Sequence, residues 1–100
     1  MKNEKVNYVI DMIKDMQIDN KLRLAICMCD SEYIHIEYDK KEIYKYFDKL
    51  LKGIDVIYRN TIVNFAEYPY IMFVMAKIME MENTEQNKIA LYLFNTIIKK

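Results

Sequence analysis

From Pro69 to Met81 the chain reads PYIMFVMAKIMEM, apolar on every side of a helix for two turns and amphipathic only after Lys77. A helix that is hydrophobic all round is normally buried all round. The rest of the chain is therefore expected to pack about residues 69–82. Pro69 suits the first turn of a helix, where its missing N–H costs nothing. Tyr68, just before it, is biased away from helical angles, so a break is expected there. The apolar run Tyr68 to Ala76 is nine residues, far short of the roughly 20 that span a bilayer. No membrane partner is expected.

Such a segment needs neighbours that can enclose it. One hundred residues suit one globular domain over 1–100, and 53% apolar side chains suit a real core. With a single glycine, Gly53, and a single proline, tight-turned β folds and a glycine-rich phosphate cradle are disfavoured. Fifteen basic residues balance fifteen acidic ones, so no overall field draws the molecule onto nucleic acid or anionic lipid. The opening Met1-Lys2-Asn3-Glu4-Lys5 leads into a stretch broken by Asp11, Lys14 and Asp15, unlike a secretory leader. Together with two closely spaced cysteines that read as reduced thiols, this sets the expected compartment as the cytoplasm. The lean toward Ile, Lys, Asn, Tyr and Met hints at an AT-rich source, such as a phage, another virus or a low-GC bacterium.

Residues 3–18 read as an amphipathic helix with Val6, Val9, Ile10, Ile13 and Met16 at helical spacing, Asn3 as its cap and Glu4 favourable in the first turn. Residues 21–38 alternate with period two. Leu22, Leu24, Ile26 and Met28 form one apolar set, and Ile34, Ile36 and Tyr38 another. With Asp30-Ser31-Glu32 as the turn, a three-residue loop pairs the two sets on one face of a β-hairpin. The competing reading is a short helix over 21–29, since Leu22, Ala25, Ile26 and Cys29 also fit helical spacing. Asp39-Lys40-Lys41-Glu42 resembles a capping box that starts a helix at Asp39. Its buried stripe is Ile43, Phe47, Leu50, Leu51 and Ile54, with Gly53 where a left-handed terminal residue is wanted. Residues 54–67 fit a helix through Ile54, Ile57, Tyr58, Thr61, Ile62 and Phe65, or a β-branched hairpin. Asn83-Thr84-Glu85-Gln86 reads as a second capping-box start, and Lys99 and Lys100 complement the dipole of that last helix. The fold expected is helix-dominated α+β: an N-terminal helix, a hairpin at about 21–38, then three or four helices around 69–82. The alternative is an all-α bundle.

No catalytic set, cofactor loop or resident metal is expected from these residues. Cys27, Cys29 and His35 are the sharpest local constellation, because the hairpin register puts Cys27 opposite His35 and Cys29 on the same face. Thiolate and imidazole are good soft-metal ligands, and an imidazole can activate a thiol. Two cysteines spaced by one residue match no familiar zinc spacing, so this stays a minor alternative to ordinary thiols. The acid pairs Asp11/Asp15 and Glu80/Glu82 read as surface charge. Met72, Met75, Met79 and Met81, with Met12, Met16 and Met28, read as core filling, with a partner groove or dimer face as the second reading.

What remains is surface chemistry. Nine tyrosines carry an apolar ring and a wet hydroxyl, which suits an interface. Tyr44, Tyr46, Tyr58, Tyr68 and Tyr70 are the expected partner contacts. Lys41, Lys45, Lys49 and Lys52, with Arg59, form a basic face that suits nucleic acid as an alternative, though Glu42 and Asp48 dilute it. The function expected is therefore that of a small intracellular regulator or inhibitor, of immunity, anti-defence or host-takeover type. It would act by protein–protein contact as a homodimer.

Overall fold

The computed structural model describes residues 4–50 and 69–98. They form five helices: α1 (Glu4–Lys14), α2 (Ile18–Asp30), α3 (Lys40–Leu50), α4 (Pro69–Met79) and α5 (Asn83–Ile98). No strand occurs among the described residues, and the all-α bundle is the arrangement that fits.

The hairpin expected at 21–38 is corrected. Its first half is the body of α2, which buries Leu22, Arg23, Leu24, Ala25, Ile26, Met28 and Cys29. A helix enclosed on most sides needs a nearly continuous apolar run, and such a run contains period-two subsets by default. Arg23 is tolerated inside because its Nη1 donates to Asp19 Oδ2 at 3.2 Å and to Asn20 Oδ1 at 2.8 Å, both one turn earlier. The second half of the hairpin is a loop whose alternation is real. Ile34 is buried, Ile36 and Tyr38 are half-buried, and Tyr33, His35 and Glu37 are exposed. Its partner is α5, not a strand. The Glu37 N–H donates to Asn87 Oδ1 at 2.8 Å, and the Tyr38 hydroxyl donates to Asn95 Oδ1 at 3.2 Å. The Tyr38 ring meets Phe94 edge-on at 4.9 Å.

α1 forms with Val6, Val9 and Ile13 buried, Glu4 in its first turn and Lys14 in its last. Such charges oppose the helix dipole favourably. The helix is shorter than the 3–18 expected: it ends at Lys14, Met16 is buried in the connection, and Ile18 already opens α2. α3 opens where the capping pattern places it: the Lys41 N–H donates to Asp39 Oδ1 at 3.0 Å. In α5 the box sits one residue earlier than the sequence suggests. Glu82 takes the cap position, and Glu85 Oε1 accepts from the Glu82 N–H at 3.1 Å.

A second correction concerns the centre. Among the described helices, α5 packs against each of the other four. It buries Gln86, Ile89, Ala90, Leu93, Phe94 and Ile97, an unbroken stripe at i, i+3, i+4, i+7, i+8 and i+11. Each large side chain in it contributes about 1.5–3 kcal/mol of transfer free energy. α4, expected to be enclosed, buries only one face: Ile71, Val74, Met75 and Ile78. Gln86 links the two helices, its Nε2 donating to the Ile78 carbonyl at 3.0 Å.

The expected helix or hairpin at 54–67, Gly53, Asn3, Lys99 and Lys100 lie outside the described residues. No described helix is long and apolar enough to cross a membrane.

Candidate functional site

Because α4 buries one face, its two flanks carry exposed apolar side chains, Tyr70, Met72, Phe73 and Met79. On the flank toward α1, Lys77 Nζ lies 5.0 Å from the Phe73 ring centroid and 5.8 Å from that of Tyr8. A cation over two ring faces satisfies the electrostatics of both. The cleft left beside them is small, about 120 Å³, and is lined by Lys5, Tyr8, Val9, Lys77, Glu80 and Met81.

The flank toward α2 is open. A groove of about 440 Å³ runs between the end of α2 and α4. Met72, Met75 and Met79 form one side of it, and Cys27, Asp30, Ser31, Glu32 and Tyr33 the other. Met72 is 47% exposed, Met79 42% and Tyr33 70%. Large apolar side chains so placed are a cost to an isolated molecule and an asset to one that docks.

The acidic wall of this groove is built by the junction of α2 and α3. No basic residue lies in the last turn of α2, and α3 supplies one. Lys40 Nζ donates to the Cys29 carbonyl at 3.2 Å, placing a cation at the negative end of the α2 dipole. The Tyr44 hydroxyl donates to Asp30 Oδ1. Burial first, and then the bond to Asp30 and its charge, push the Tyr44 hydroxyl pKa above the ordinary 10.0.

Cys27 and Cys29 are two positions apart on a helix, so their side chains point about 200° away from each other. Cys27 is half-buried in the groove and Cys29 is buried on the core side. Burial, reinforced by the Asp30 charge, raises the Cys27 thiol to about 11 from 9.0. Burial raises Cys29 to about 11 as well, with Lys40 pulling down and Asp30 pushing up. Both thiols are protonated at neutral pH and poor nucleophiles. His35 is exposed on the following loop. Cys27, Cys29 and His35 are not brought together, because the register that joined them required the hairpin. Among the described residues no group of three His, Cys, Asp or Glu side chains is placed to hold a metal ion.

The expected partner tyrosines do not form one patch. Tyr44 braces Asp30, Tyr46 packs half-buried against the core, and Tyr70 is exposed on α4. Tyr70 stands about 200° round the helix from Met72 and so misses the groove. Lys41, Lys45 and Lys49 are all exposed on α3, in company with the exposed Glu42 and Asp48. Tyr58, Tyr68, Lys52 and Arg59 lie outside the described residues.

Tyr33, Asp30 and Glu32 are the groove residues that the sequence reading passes over, since it spends all three on a hairpin. The signal for them is the helical spacing of Leu22, Ala25, Ile26 and Cys29, which carries α2 to Asp30. The core-filling reading of the methionines holds for Met16, Met28, Met75 and Met81, all buried, and fails for Met72 and Met79. No family model, no curated protein and no solved structure matches the chain.

Proposed function

We propose that this chain acts by protein–protein contact, as a small regulator or inhibitor of the immunity, anti-defence or host-takeover kind. The observation that supports this reading is the open flank of α4. Met72 and Met79 are each nearly half exposed on a helix whose other face is core, with the exposed Tyr33 across from them. Flexible methionine surfaces adapt to the shape of what they meet, and interface centres are enriched in Met and Tyr. Contact with a second copy through the same flank, giving a homodimer, is one form of this reading.

The experiment is site-specific photo-crosslinking in the cell of origin. A photoreactive amino acid at position 72 or 79 is compared with one at Asp11 or Asp15, which are exposed on α1 and just after it. Protein adducts formed from 72 and 79 and not from the controls are the expected result. Adducts spread evenly over all four positions, or none at any, would sink the reading.

A second reading, nucleic-acid contact, is supported by the exposed row Lys41, Lys45 and Lys49, which Lys52 and Arg59 would extend. It predicts a salt-sensitive gel shift that charge reversal at those lysines abolishes. The interleaved Glu42 and Asp48 weigh against it.

A further inference from the structure

We infer that the groove between α2 and α4 receives an amphipathic helix of a partner protein, one with an apolar face of Leu, Phe or Met and flanks of Lys or Arg. This rests on the protein-contact reading and names the partner it would have. Met72, Met75 and Met79 stand at i, i+3 and i+7, so they draw an apolar line about 10 Å long on one side of α4. Met75, only 4% exposed, is fixed in the core, while its two neighbours reach outward. A docking helix offers anchors at that same spacing.

The wall of the groove selects charge. Among the described residues that line it, the ionisable side chains with a charge at neutral pH are Asp30 and Glu32, and none is Lys or Arg; Lys40 is turned to the Cys29 carbonyl at 3.2 Å. Tyr44 holds Asp30 by its hydroxyl, so the wall keeps its position. Tyr33, whose N–H donates to Ser31 Oγ at 3.1 Å, is exposed enough to offer its ring to a cation. An acidic helix would meet like charge here, whereas Lys or Arg flanks would pair with both carboxylates. The opposite flank of α4 contrasts with this, since Lys77 already occupies the faces of Phe73 and Tyr8.

A second copy offers this groove no basic helix of that kind among its described residues. Its basic helix, α3, turns its apolar Ile43 and Phe47 into its own core. Its described side chains therefore leave no apolar line to lay between its lysines.

The test uses the full chain and a roughly four-turn labelled peptide with Leu and Phe anchors and Lys and Arg flanks, followed by fluorescence anisotropy. A peptide with the same anchors and Glu flanks is the counter-probe. The basic peptide is expected to bind, more weakly as salt rises, and the acidic one not. The pair Met72→Glu and Met79→Glu should weaken binding at least about thirtyfold, from the lost apolar burial. Glu32→Lys should weaken it roughly fivefold and flatten the salt dependence. Leu91→Glu, on the outer face of α5, should change nothing. These positions are exposed, and urea unfolding of each variant verifies that it folds. Alkylation of Cys27 should slow when the basic peptide is bound.

Equal binding of both peptides, or binding indifferent to Met72 and Met79, overturns the inference. So does a dimer seen by light scattering that Met72→Glu and Met79→Glu dissolve and the peptide does not. That last result leaves the protein-contact reading standing. Failure of the crosslinking at 72 and 79 removes both.

Discussion

α4 and α5 are neighbours in sequence and unequal in fate. α4 is the more uniformly apolar helix, yet it is the one left half open, whereas α5 carries Asn and Thr and still packs against every other described helix. Phe73 on α4 is 47% exposed, while Phe94 on α5 is 0% exposed. The lesson concerns geometry rather than composition. A stripe that faces four neighbours is buried whatever lies on the opposite side, and an all-round apolar helix is buried only if neighbours exist to surround it.

The sharpest way to break this contrast is to remove the same side chain from each helix. Phe94→Ala should cost about 3–5 kcal/mol, the price of a cavity in a packed core. Phe73→Ala should cost under about 1 kcal/mol, since Phe73 is about half exposed and its ring packs under the Lys77 ammonium. Urea unfolding with a constant slope reads both. Equal losses would mean that the outer side of α4 is covered after all.

Glu85→Ala tests whether α5 owes part of its order to its own first turn. Losing the bond to the Glu82 N–H should cost about 0.3–1.5 kcal/mol, seen as a lowered urea midpoint. No matching carboxylate lies in the first turn of α4, which begins at Pro69.

Gln86→Leu probes the joint between the two helices, and its expected effect is smaller still. The lost bond to the Ile78 carbonyl would ordinarily cost about 1 kcal/mol. That carbonyl keeps the Met81 N–H, 3.0 Å away. The buried Gln86 Oε1, which has no hydrogen-bond partner, is removed as well. The two changes offset, and stability should move by less than about 1 kcal/mol in either direction. A large loss would show that the amide positions α4 rather than merely touching it.

A separate effect, confined to alkaline pH, is read through α2, whose two thiols face the open and the closed sides. In the folded chain each thiol holds its proton to about 11, against 9.0 ordinarily. Between those values the unfolded chain binds fewer protons, so stability falls as pH rises. The contribution is complete below about 9 and is lost as pH passes about 11. Tyr44, also raised, acts in the same direction. The variant with both Cys27→Ala and Cys29→Ala should show a flatter stability profile across that window. At pH 8, slow alkylation of Cys27 with Cys29 protected would confirm the asymmetry, and equal rates would contradict it.

Much of the architecture is legible in local signals. Asp39 announces α3 because a carboxylate that accepts from the helix N-terminus must precede it. Val6, Val9 and Ile13 announce α1 because only one face of it is buried. The hairpin misreading has the opposite cause. α2 buries Leu22 to Ile26 without a break, and Met28 and Cys29 after them, so within that run periods of two and 3.6 fit alike. The groove is the least legible part. Met72 and Met75 are chemically the same, and nothing along the chain marks one as surface and the other as core. Glu32 and Tyr33 reach the groove only because α2 remains helical to Asp30.

What the residues determine by themselves is which segments coil and where they start, since caps, prolines and amphipathic spacing act within one or two turns. They also determine that the chain carries large apolar side chains on more than one face of α4. Which helix becomes the hub, and which flank of the greasiest one is left uncovered, is decided only when the helices pack. Burial is a property of what surrounds a side chain, and those surroundings come from residues far away in the sequence.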